Sequence, residues 1–142
     1  MSIKYAEPLH LLCGAAGGKG FVRWFLRSKI HNATVTEANV NYVGSITIDV
    51  GLMERVGLEV GEKVLVVSNT SGARLETYTI AGERDSGAVE INGAAAHLIK
   101  KGEQVIIMGF ELSDKPVQPT VILAGAENRS PEWLTERSGV EA

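Results

Sequence analysis

Two stretches of this chain recur at a fixed distance, and that recurrence narrows the folds open to it more than any other feature. "SITID" at 45–49 shares its first residue, an apolar fourth and an acidic fifth position with "SGAVE" at 86–90. "GEKVLVV" at 61–67 matches "GEQVIIM" at 102–108. The step from 45 to 86 equals the step from 61 to 102, 41 residues, and each pair flanks a segment with short-helix character. Self-similarity at a fixed offset marks a duplicated unit. Two units cannot stack into a solenoid. They can form a mainly β barrel with a pseudo-twofold axis, whose short strands close on themselves and remove their edges.

The local pattern agrees. From Phe21 onward β-branched and aromatic residues are dense, and alternation over Ile30–Thr36 predicts a strand. "TEANVNY" reads equally as a helical turn or a loop. "SITID", "EKVLVVSN", "RLETYTIAG", "GAVEI", "EQVIIMGFEL" and "TVILA" read as further strands, with "NTSG" as a turn. "DVGLMERVGL" predicts a short helix with Asp49 as N-cap and Gly57 as its stop. "NGAAAHLIKKG" predicts a second, started by Asn92 and ended by Gly102. "SPEWLTER" predicts one or two helical turns, with Ser130 as N-cap and Pro131 at the first helical position.

Composition sets the outer limits. A length of 142 residues fits one domain with a real core. The net charge of −3 gives no basic stripe of the kind nucleic acid requires. The single cysteine, Cys13, excludes a disulfide framework within one chain and suits a reducing cytoplasm, where we expect the protein. The apolar runs are too short to span a bilayer, so no membrane role is expected. Within residues 1–20, "LHLLCGAAGG" has only a faint signal-like character: Lys4 alone precedes it, and Glu7 and Pro8 interrupt the approach. His10 and Leu12 stand where a lipoprotein signal would have Leu and a small residue. Residues 1–20 are read as a poorly ordered extension or an upstream start, 21–125 as the barrel domain, and 126–142 as a polar tail.

Familiar catalytic motifs are missing. There is no phosphate loop, no Gly-x-Ser-x-Gly elbow and no His-Glu-x-x-His, and the three histidines lack metal spacing. An enzyme built on this chain needs an electrophile from elsewhere. "KIHNATVTEANVNYVGSITID", "RLETYTIAGERDSG" and "INGAAAHLIKKGEQVII" together resemble the aspartate 1-decarboxylases, small pyruvoyl enzymes that make β-alanine for pantothenate and coenzyme A. The resemblance covers about 21–125 with its motifs in order. It implies a double-psi β-barrel assembled as a homotetramer, with L-aspartate as substrate. It also implies self-cleavage between Gly44 and Ser45, and no metal. Cleavage proceeds either unaided or with a maturation factor as partner.

The chemistry of the Gly44-Ser45 pair supports that role. A serine hydroxyl can attack the preceding carbonyl in an N→O acyl shift, which planar trans geometry resists and distortion assists. Glycine on the acyl side has no Cβ to obstruct attack and tolerates strained dihedrals. β-Elimination and hydrolysis then convert Ser45 into a covalent pyruvoyl group, whose ketone forms a Schiff base with the substrate amine.

By resemblance, Arg74 is the fork for a substrate carboxylate, a geometry Lys cannot copy. Lys29 and His31 line the pocket, and Lys29 adds positive potential. Thr77 bonds near the Gly44 carbonyl during processing and also binds substrate. Tyr78 protonates the carbanion after CO₂ leaves. Thr77 and Tyr78 are adjacent, so both serve one site only if the strand twists or a neighbouring subunit takes part. Asn92 reads as an N-cap, and by resemblance it bonds the pyruvoyl region. Gly93, Ala94 and Ala95 let the substrate approach backbone amides at a helix N-terminus. Tyr42 either packs on the site or shapes the turn before the cleavage point. Two departures stand out: the extension 1–20, and Asp85 where "ERxSG" calls for glycine. The competing readings are a pyruvoyl decarboxylase of another amino acid and an uncleaved double-psi barrel that binds rather than catalyses.

Overall fold

Period-two alternation builds nine strands within residues 20–135, the part of the chain that the computed structural model describes. They are β1 (Arg23–Thr34), β2 (Glu37–Asn39), β3 (Ser45–Asp49), β4 (Lys63–Ser68), β5 (Arg74–Gly82), β6 (Val89–Asn92), β7 (Gln104–Ser113), β8 (Thr120–Leu123) and β9 (Glu132–Trp133). The sheet order is β2-β6-β3-β5-β4-β7-β1-β8-β9. Ile46 and Ile48 of β3, Val64 and Val66 of β4, Val89 and Ile91 of β6, and Val105 and Ile107 of β7 point inward and are buried. Each such side chain contributes roughly 1.5–3 kcal/mol relative to exposure. The sheet curls around this core into a barrel-like, mainly β fold.

The repeat is visible in the pairing. β4 and β7 run antiparallel with Val66 opposite Ile107, positions that the 41-residue step makes equivalent. Leu65 faces Met108 and Val67 faces Ile106, as a twofold axis through the Val66–Ile107 pair requires. The parallel pairs echo it. β5 lies along β3 over Thr79–Gly82, and β8 lies along β1 over Thr120–Leu123, the same step later.

Helix α1 (Val50–Val56) is capped as its sequence predicts. The Asp49 carboxylate accepts from Gly51 N at 2.8 Å, and Gly57 closes the helix in the left-handed conformation, φ 73°. Leu52, Met53 and Val56 form its buried face.

Several expectations are corrected. The strand expected over 30–36 begins earlier, at Arg23, and ends at Thr34. "TEANVNY" resolves into β2 and a turn. The helix expected over 92–102 is only a 3₁₀ run, Gly93–His97, and Asn92 gives it no side-chain cap. Gly93 enters at φ 73°, outside the helical region, and the Asn92 amide is engaged elsewhere. "SPEW" forms no helix. Glu132–Trp133 pairs with Leu123 and Ile122 of β8 instead, because an open strand edge offers ladder bonds that a two-turn helix does not match. Residues beyond 135, and those of the extension before Gly20, lie outside the described residues.

Full closure of the barrel is corrected too: the sheet ends at β2 and β9 rather than joining by ladder bonds. A side chain bridges part of the gap. Asn128, in the short 3₁₀ segment Ala126–Asn128, accepts from Thr34 N at 2.8 Å. Its amide donates to Thr34 O at 2.8 Å and to Gly87 O at 2.9 Å. The polar segment after residue 125 is therefore part of the fold as far as Trp133.

Candidate active site

β3 opens with Ser45, and its register sets out the site. Ser45 stands opposite Asn92 of β6. On its other side Ile46 stands opposite Thr79 of the parallel β5, so the same register carries Tyr78 level with Ser45 and Thr77 level with Gly44. The inward positions of β3 are the isoleucines, so Ser45 and Thr47 occupy the outer face. Ser45 is nevertheless buried, at 1% exposure, and Asn92 at 5%.

The burial is matched by hydrogen bonds. Asn92 Nδ2 donates to Ser45 Oγ at 2.9 Å and to Thr47 Oγ1 at 3.0 Å. The Ser45 hydroxyl donates to the Val43 carbonyl at 3.2 Å. Next to Asn92, Gly93 packs on the peptide before Ser45. A Cβ at Gly93 would lie 2.6 Å from Gly44 Cα and 2.8 Å from Gly44 N. At Gly44 itself a Cβ would meet nothing within 4 Å, and its φ is not in the left-handed region. The structure thus demands glycine at 93, while neither φ nor packing requires it at 44. Tyr42 and Val43, just before the pair, are exposed, so a solvent-facing turn leads into a buried serine.

The remaining candidates divide. Arg74 and Tyr78 lie on one face of β5, four residues apart, and both are exposed. Glu76 lies between them and pairs with Lys63 at 2.9 Å, across the sheet on β4. Neither Thr77 nor Tyr78 makes a side-chain hydrogen bond to Gly44 or Ser45, and they point to opposite faces of β5. Ala94 is exposed and Ala95 half-buried in the 3₁₀ run, which is too short for a helix-dipole argument. Lys29 and His31 share one face of β1, half-buried, four strands along the sheet from β3.

This arrangement can be set against known proteins. The family model described as aspartate decarboxylase matches residues 21–131, spanning every strand up to β8 and the Asn128 bridge. The chain belongs to the aspartate decarboxylase family. Among its relatives is the aspartate 1-decarboxylase of Bacillus thuringiensis (strain Al Hakam), 59% identical over 82% of this chain and 96% of that protein. The enzyme of the same name from Bacillus velezensis is 49% identical over 79% of this chain and 91% of its own. That from Corynebacterium efficiens is 51% identical over 76% and 82%.

Within this aspartate decarboxylase fold, two residues escaped the sequence reading. Thr47 gave no sign beyond its alternation with Ser45 on β3. Asn128 looked like one polar residue among many. Asp85 is explained: its φ of 60° is the left-handed conformation that favours glycine, and Asp tolerates it. Among the described residues, shifts are resolved at Glu54, Arg84 and Glu103, none of them a candidate for the site. Arg84 hydrogen-bonds Glu54 and holds that carboxyl below its ordinary range. Ser68 and the Lys100 amide do the same for Glu103.

Proposed function

We infer that this chain is a decarboxylase of L-aspartate, yielding β-alanine and CO₂, and that it makes its own electrophile by cleavage between Gly44 and Ser45. Family membership carries the reaction, and the observation that carries the cleavage is the double hold on that pair: Asn92 on the Ser45 hydroxyl and Gly93 on the Gly44 backbone. A plain turn needs neither.

The cleavage chemistry uses the chain's own atoms. Ser45 Oγ attacks the Gly44 carbonyl carbon, the C–N bond breaks, and the hydroxyl proton ends on the Ser45 nitrogen. Loss of the Ser45 Cα proton to water then breaks the Cβ–Oγ bond. The electron pair departs with Gly44 as a carboxylate, and Asn92 Nδ2 is placed to hydrogen-bond the departing oxygen. Water adds to the dehydroalanine that remains, ammonia leaves, and a ketone stays at residue 45. That pyruvoyl ketone supplies an electrophile for the aspartate amine and a sink for the electrons released with CO₂.

The other residues bind and orient. Arg74 offers a planar fork for a carboxylate, and Lys29 and His31 add a cation and a polar lining. Tyr78, level with Ser45, returns a proton to the α carbon. Thr77 lies level with Gly44 but on the face of β5 opposite Tyr78, so its part in processing and substrate binding calls for a twist of the strand or a neighbouring copy. Ala94 and Ala95 leave room for substrate beside the backbone, and Gly93, packed on Gly44 in the uncleaved chain, joins them once the Gly44 end is released. Because β1 lies four strands from β3, the working site draws Lys29 and His31 from a neighbouring copy in a homotetramer of cleaved protomers. Trp24 and Leu112, opposite each other on β1 and β7 and 68% and 56% exposed, give such an assembly an apolar pair to cover. Residues 1–20 lie outside the enzyme domain, which fits a family match that begins at 21.

Purified protein should convert L-aspartate to β-alanine, and Ser45→Ala should stay one folded, inactive chain. Turnover of glutamate, histidine or arginine instead of aspartate would overturn the substrate. Decarboxylation by the alanine variant would overturn the mechanism.

A further inference from the structure

Asn92 can assist cleavage only if its amide is held toward Ser45. An asparagine amide turns about a broad, roughly twofold torsion, so one hydrogen bond leaves it loosely oriented. The second bond comes from a residue outside the substrate and cleavage machinery described so far. Thr47 Oγ1 accepts the other Nδ2 hydrogen at 3.0 Å. Thr47 lies two residues beyond Ser45 on the same face of β3, opposite Glu90 of β6 and Ile80 of β5. Both acceptors of the amide therefore sit on one strand, held by a ladder on each side. The β-branch of Thr47 restricts the rotation that would carry its hydroxyl away.

We propose that Thr47 is a positioning residue for self-cleavage: it anchors the Asn92 amide so that Nδ2 stays on Ser45 Oγ while that oxygen becomes an ester and then a departing carboxylate oxygen. The effect is preorganisation. The donor aimed at the developing charge is in place before the bond breaks, and Thr47 touches neither the reacting carbon nor the substrate. The inference rests on the self-cleavage proposed above.

The test is the rate of conversion of freshly purified precursor to two chains, followed by denaturing electrophoresis. Thr47→Val keeps the branched shape and strand preference and removes only the acceptor. It should slow cleavage about tenfold, the size of one hydrogen bond, at a melting temperature close to wild type. Thr47→Ser restores the acceptor and should cleave within about threefold of wild type. In an Asn92→Ala background, Thr47→Val should add nothing, since the residue acts through that amide. Wild-type cleavage with an equally fast Thr47→Val variant would overturn the proposal. So would a serine variant as slow as the valine one, or additive losses in the double variant. A wild-type chain that never cleaves would instead sink the self-cleavage reading itself.

Discussion

The first repeat places Asp49 just before α1, and the second places Asn92 just before the 3₁₀ run. Both are buried polar residues at the end of a strand, yet they act in opposite directions. Asp49 turns inward on its own surroundings: its carboxylate accepts from Gly51, Asp85 and Gly87, capping the helix and fastening the turn before β6. Asn92 gives its run no cap and reaches across to Ser45 and Thr47 on β3. The two are not equivalent in the repeat, where the 41-residue step matches Asp49 with Glu90: the turn at Asp49 uses its polar residue as scaffold, and the turn at Asn92 directs its own at a reactive pair at the cost of a regular helix. The result is a fastened frame at one strand end and an irregular 3₁₀ run beside the reactive pair at the other.

That contrast can be broken most forcefully at its glycines. Gly93 and Gly57 share the same φ of 73°. Gly93→Ala drives a Cβ into Gly44, and cleavage should fall at least roughly a hundredfold, read by electrophoresis. Gly57→Ala meets open space, so it should cost only about 1 kcal/mol of stability and leave cleavage unchanged. Equal effects on cleavage would erase the distinction between the two turns.

The polar pair sharpens it. Asp49→Ala leaves three backbone N–H groups without their acceptor, and should lower stability by about 3 kcal/mol in a denaturant titration. Asn92→Ala should slow cleavage about tenfold or more, with a smaller loss of stability.

Scaffold residues far from Ser45 should behave as Asp49 does. Asn128→Ala removes three hydrogen bonds that tie Thr34 to Gly87, one of them fully buried, and should cost about 2–3 kcal/mol.

The smallest effect is expected at Glu103, whose lowered pKa ties it to Ser68 and the Lys100 amide. A carboxyl with a depressed folded pKa stabilises above its unfolded pKa, and that contribution is lost as pH falls through the folded value. Glu103→Gln should therefore melt slightly below wild type at pH 7, with the gap closing in acid. A gap that widens on acidification would reverse the sign.

Much of this architecture is legible along the chain because it depends on near neighbours. Alternation reveals the main strands, and Asp49 and Gly57 announce α1 through contacts within a few residues. The 41-residue step announces a twofold relation, and the Val66–Ile107 pairing is where it appears. What escapes is governed by distant partners. β9 exists because β8 has an open edge. Asn128 matters because Thr34, 94 residues away, comes to meet it. Asn92 reads as an N-cap until β3 lies beside it, and only then is its amide drawn to Ser45 and Thr47. The tight packing on Gly44 is hidden in the same way, since it comes from Gly93 across the sheet.

The central claim is that the pair held by Asn92 and Gly93 is a scission point. Intact mass measurement of the purified chain, with N-terminal sequencing of its fragments, tests it most directly. Two species should appear, one ending at Gly44 and one beginning at residue 45 with a blocked, ketone-bearing end. A single chain that persists through prolonged incubation, with Ser45 recovered as serine, would contradict the account.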